Sequence, residues 1–142
     1  MKDLKNLVNN INEKWTDIYH SLHYIHQENI SHQAVRLLQH IEKREALTVG
    51  DLADYIGVSH NTASEHIKRL IKKGLVSKKR SSEDERRVFV IMTPEGRGVL
   101  NKHTRLDEDK LENVLENLSD SEAETVAKAF HFLSREARKC SW

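Results

Sequence analysis

The sequence predicts a mainly α fold with a small β-hairpin, and three observations predict it. Apolar residues recur at three- and four-residue spacing through most of the chain. Hydroxyl or carboxylate caps stand just before several of those runs, and the single proline follows Thr93, where a helix can start. Only the stretch 75–92 alternates with period two around a polar loop, as a hairpin requires.

The first helix is expected from about Asp3 to about Gln27. Leu4, Val8, Ile11, Trp15, Ile18, Leu22 and Ile25 alternate gaps of four and three, a heptad seam held for three repeats. A stripe that long and narrow suits packing against another long helix, such as one from a second subunit. Asn29, Ile30 and Ser31 break the pattern, and Ser31 can cap a second helix carrying Ala34, Val35, Leu38 and Ile41. Residues 45–47 read as a short extended lead-in.

Thr48, with Asp51 three residues on, forms a capping box for a short third helix. Leu52, Ala53 and Ile56 supply its inner face, and Gly57 can take the left-handed conformation that ends it. Ser59 then caps a helix in which Ala63, Ile67, Leu70 and Ile71 share one side. Two short helices joined by a glycine-containing turn form a helix-turn-helix, whose second helix can enter a DNA major groove. Gly74 closes that helix after Lys73, and Leu75–Arg80 and Arg87–Met92 are the expected strands around the loop Ser81–Arg86. Thr93-Pro94-Glu95 opens a helix expected to run to about Leu118, with Leu100, Thr104, Asp107, Leu111, Val114 and Leu118 in one line. Ser119 and Glu122 box the start of a last helix, whose apolar positions are Ala123, Val126, Ala127, Phe130, Leu133 and Ala137. Two helices are thus expected after the hairpin. The terminal helices flank a compact unit that already has a core, which makes them candidates for a dimer interface.

At 142 residues the chain is long enough for one domain with a sizeable core. Its net charge is only +1, yet the charge is unevenly placed. Between Ser59 and Ile91 stand nine basic side chains and four acidic ones, whereas residues 107–124 carry eight acidic side chains against Lys110 alone. The basic run coincides with the helix-turn-helix, which puts an electropositive face there and an acidic shell elsewhere. There is no secretory h-region and no apolar run of membrane-spanning length, and one cysteine, Cys140, makes no internal disulfide. A cytoplasmic protein without membrane contact is expected. No nucleophile–base pair, phosphate loop or paired carboxylates stand in a cleft-like context, so neither enzymatic activity nor a cofactor is expected.

These residues resemble the MarR (multiple antibiotic resistance regulator) family of bacterial winged-helix repressors, in length and element order along essentially the whole chain. The likeness is sharpest from Leu52 to Gly96. The family's leucine-basic-basic-glycine-leucine-valine run corresponds to Leu70–Val76, and its wing signature to Asp84-Glu85-Arg86. The threonine and glycine that open the next helix correspond to Thr93 and Gly96. The resemblance implies a winged helix-turn-helix with N- and C-terminal dimerisation helices. Residues 31–96 would form the lobe, and 1–28 and 97–142 the interleaved helices of a homodimer. It also implies a transcriptional repressor on double-stranded DNA with an inverted-repeat operator, released by a small-molecule effector, an oxidant or a metal.

Within that frame Ser59, His60, Asn61, Thr62, Ser64 and Lys68 are the expected DNA-facing residues of the second helix. Asn61 suits bidentate pairing with adenine, and Ser59 and Thr62 suit phosphates. In the hairpin, Arg86 is expected to enter a narrow minor groove, and Lys78, Arg80 and Arg87, with Lys79, to contact the backbone. Asp84 cannot favour DNA by its own charge, so its expected task is to pair with Arg86 or an equivalent arginine and shape the tip. Trp15, Tyr19, His23 and Tyr24 are candidates for an effector pocket, though they serve equally as dimer core.

His20, His23 and His26 are three apart, with His32 nearby, but no Glu or Cys stands at ligand spacing beside them, and no metal site is expected. Cys140 follows Arg138 and Lys139, an electropositive setting for a redox sensor, and a frayed tail is the simpler account. The alternatives to the leading reading are a winged-helix protein–protein module and a metal- or redox-sensing repressor.

Overall fold

The computed structural model describes residues 2–25, 29–44 and 46–140. In chain order its elements are α1 (Leu4–Leu22), α2 (His32–Lys43), α3 (Val49–Ile56), α4 (His60–Lys72), β1 (Val76–Arg80), β2 (Val88–Met92), α5 (Pro94–Thr104), α6 (Glu108–Glu116) and α7 (Asp120–Ala137). The chain divides into two compact units, one of Tyr24–Arg105 and one of Met1–His23 with Leu106–Trp142.

The Tyr24–Arg105 unit holds the buried core. Leu37, Leu38 and Ile41 of α2 meet Leu52 and Ile56 of α3, Ile67 and Leu70 of α4, and Leu75, Val76, Val90 and Leu100. Each fully buried Leu or Ile removes enough apolar surface to contribute about 1.5–3 kcal/mol, so this one cluster organises the unit. The local signals act as anticipated. The Thr48 side chain accepts from Asp51 N (3.1 Å) and Asp51 Oδ2 accepts from Thr48 N (2.9 Å), completing the capping box. Gly57 ends α3 at φ 70°, and Ser59 Oγ accepts from Thr62 N at the start of α4.

β1 and β2 pair antiparallel, with Val76 opposite Met92, Lys78 opposite Val90 and Arg80 opposite Val88. The outer edge of β2 is also occupied. Val90 N donates to Leu47 O (2.7 Å), so the lead-in residue Leu47 serves as a one-residue third strand. At the far end of the hairpin, Thr93 Oγ1 donates to Gly74 O (2.6 Å) and accepts from Gly96 N (3.0 Å). The turn after α4 and the start of α5 are thereby tied to one hydroxyl.

Two helix ends differ from expectation. α1 stops at Leu22, and His23 adopts an extended conformation and bridges Leu106. The expected end at Gln27 lies outside the described residues. The helix opened by Thr93 does not reach Leu118: it ends at Thr104, Arg105 is extended, and Asp107 starts α6 as its N-cap. Three helices therefore follow the hairpin instead of two. The reason is long-range. Asp107 N donates to Leu22 O (2.7 Å) and Lys110 Nζ donates to His23 O (3.1 Å), which satisfies carbonyls at the end of α1. Asp107, the charged member of that line, caps α6 through Asp109 N and Lys110 N. The α5 segment packs on α2, with Arg97 3.8 Å from Glu42, and so belongs to the lobe unit.

In the other unit, none of α1, α6 or α7 has a buried residue. Leu4, Val8, Ile11 and Trp15 of the α1 seam and Val126, Phe130 and Leu133 of α7 are exposed. No described helix is long and apolar enough to cross a membrane.

Candidate nucleic-acid interface

The interface is built on α4 and the hairpin. Ala63, Ile67 and Leu70 anchor α4 in the core. The 3.6-residue period then directs Asn61, Glu65, Lys68 and Lys72 to the opposite side, where all four are exposed. His60 and Thr62 are exposed near the N-terminus, whereas Ser64 is half-buried. Ile71 is likewise exposed, so the inner line narrows to three residues. Ser59 and Thr62 bond each other, with Ser59 Oγ donating to Thr62 Oγ1 at 3.0 Å. Thr62 keeps its own O–H to donate beside the positive end of the helix dipole, an arrangement suited to a phosphate.

The hairpin tip is closed by hydrogen bonds from its own polar residues. Ser81 Oγ accepts from Glu83 N and Asp84 N (3.2 Å each), and Arg87 N donates to Asp84 O (2.9 Å). Asp84 Oδ1 accepts from Arg86 N (3.0 Å) and from Arg86 Nε (3.2 Å). The Asp84 carboxylate thus orients a side chain that is 91% exposed. Arg80 also takes part in the tip, its guanidinium donating to Glu85 O at 2.7 Å. Sequence reading missed Ser81, although a serine opening a turn of acidic residues is a recognisable local signal.

Lys78 and Arg80 share one face of the hairpin with Val90 and Val88, and Lys79 pairs with Phe89 on the other. The two faces therefore divide the basic residues. Arg87 lies 5.5 Å over the Phe89 ring. Its charge also reaches Asp51, whose carboxyl is held below the ordinary range first by the Thr48 N–H and further by Arg87. Arg87 is thus partly committed to the lobe.

The pocket residues separate. Trp15, Tyr19 and His23 stack in sequence along α1 and its C-cap, with centroids 6.4 and 5.0 Å apart. Of these only Trp15 lines the groove of about 540 Å³ that Ile11, Ile18, Phe130 and Leu133 form between α1 and α7. Tyr24 belongs to the other unit. Among the described residues no group of three His, Cys, Asp or Glu side chains is placed to hold a metal, and His26 lies outside them. Cys140 is exposed, its thiol 3.8 Å from Glu136 O.

Residues 28–87 match the MarR family. The chain is 29% identical over 107 residues to YfiV, an HTH-type transcriptional regulator of Bacillus subtilis, covering 75% of this chain and 67% of the relative. In structure it is similar to the transcriptional regulator Tm0710 of Thermotoga maritima, with a TM-score of 0.60 and 22% identity over 78% of each chain. It is also similar to Streptococcus pneumoniae FabT, solved in complex with DNA, with a TM-score of 0.59 and 22% identity over 93% of this chain and 98% of the other. The chain spans between 46% and 67% of the lengths of the curated relatives it matches.

Proposed function

We propose, from the match of residues 28–87 to the MarR family, that the chain is a homodimeric, sequence-specific DNA-binding regulator that represses transcription until a small-molecule effector releases it. The observation that carries the reading is the joint exposure of α4's outward face and of an Arg86 side chain held by Asp84 at the hairpin tip. Each α4 enters a major groove, with Asn61 reading adenine and Ser59, His60 and Thr62 holding phosphates. Lys68 and Ser64 flank Asn61 along the groove. Each wing places Arg86 in the adjoining minor groove, with Lys78, Arg80 and Arg87 close to the backbone.

Dimerisation is supported by the exposed apolar seam of α1 and the exposed Phe130 and Leu133 of α7, which a single chain leaves facing water. The groove around Trp15 is where an effector would act on that interface.

The test is selection from a random duplex library at moderate salt, followed by a salt titration of the enriched duplex. An inverted repeat with half-sites about one helical turn apart, bound with steep salt dependence, is the expected result. Weak, salt-insensitive binding with no enriched sequence overturns the reading in favour of a protein-interaction module.

A further inference from the structure

Along α4, the side opposite Ala63, Ile67 and Leu70 presents Asn61, Glu65, Lys68 and Lys72, spaced by four, three and four. Glu65 is the only acidic side chain on the helix and stands in the middle of that stripe. Its Oε1 lies 3.5 Å from Lys68 Nζ, and both side chains are more than half exposed. So exposed a pair contributes little to stability, and either group is free to turn to a new partner.

A carboxylate here is repelled by DNA phosphates unless it accepts a hydrogen bond in the groove. The donors on the major-groove edge are the exocyclic amines of cytosine and adenine. Adenine N6 lies beside the N7 acceptor, which disfavours a carboxylate, whereas cytosine offers N4 without that neighbour. The guanine paired with such a cytosine presents O6 and N7, two acceptors that suit the adjoining ammonium. Acceptor and donor sit side by side on α4 in the same way that donor and acceptors sit side by side on a C·G pair.

We propose that Glu65 determines operator specificity by accepting from cytosine N4 in each half-site, with Lys68 donating to the partner guanine. This rests on the DNA-binding reading above. Random-duplex selection is run on the full chain as wild type, Glu65→Gln and Glu65→Ala, at one salt concentration. The wild type enriches C·G at one position per half-site. Glu65→Gln moves that position towards A·T, because a carboxamide pairs with adenine N6 and N7, and Glu65→Ala loses about tenfold or more of discrimination there alone. Unchanged base preference in both variants, or a Glu65-dependent position that is not cytosine, overturns the proposal and leaves the DNA-binding reading intact. A wild type that enriches no sequence overturns both.

Discussion

Gly96, at the start of α5, lies against the main chain of Leu75. A β-carbon at Gly96 would overlap the Leu75 carbonyl oxygen and stand 2.8 Å from its carbon. The close approach follows from Thr93, which ties the start of α5 to Gly74 and whose own N–H donates to Leu75 O (3.1 Å). Backbone on both sides leaves no flexible side chain to move aside. Gly96→Ala is expected to destabilise the chain by about 3 kcal/mol, at the upper end of overpacking costs. Urea unfolding measures it, and a loss under about 0.5 kcal/mol would show that α5 shifts freely.

The wing offers a test in which sign separates two roles of one residue. If Asp84 acts by holding Arg86, Asp84→Ala weakens duplex binding even though it removes a negative charge near DNA. Arg86→Ala weakens it too and lowers the salt slope by about one. The double variant should be no weaker than Arg86→Ala alone, because the two act as a unit. Tighter binding by Asp84→Ala would reduce Asp84 to a repulsive charge.

Asn61 is the exposed first-turn residue with both donor and acceptor on a planar amide. Asn61→Ala is expected to cost about 1–3 kcal/mol on the selected operator and to relax preference at one position. An equal loss on unrelated duplexes would instead mark a phosphate contact.

His40 stacks on Tyr55 at 3.7 Å between centroids, with Arg36 5.5 Å from the same ring. Burial lowers its pKa from the ordinary value, and Arg44 lowers it further against a smaller opposing effect of Asp51. The unfolded chain then binds the proton more readily than the folded one. Stability attributable to His40 is present above the unfolded value of about 6.5 and falls as the pH drops towards the folded value. Denaturation midpoints between pH 7.5 and 5, compared with those of His40→Gln, check this: the wild type should show the steeper decline.

The dimer is tested through its exposed apolar residues. Phe130→Glu and Trp15→Glu each put a charge into the proposed interface and should move sedimentation at micromolar concentration from dimer towards monomer. Both sites are exposed in the single chain, 44% and 47% respectively, so thermal unfolding of the lobe should hold. Wild-type behaviour as a monomer would remove the proposed interface.

The sequence by itself determined where α3, α4, α5 and α7 start. Thr48–Asp51, Gly57, Ser59, Thr93 and Ser119 act on backbone groups within about three residues, so their effect is written in local order. The Asp84–Arg86 pairing was legible for the same reason, two residues apart in one tight loop. What only the tertiary structure decided came from partners far along the chain. Periodicity alone ran α5 and α6 together, because the break at Arg105 is set by bonds from Asp107 and Lys110 to the end of α1, the latter across 87 residues. Leu47 became a strand partner only when Val90 reached it. The bond from Arg80 to the Glu85 carbonyl formed only once the loop had closed. Local chemistry chooses where these helices start, whereas the end of α1 at Leu22 depends on which distant donors arrive at its carbonyls.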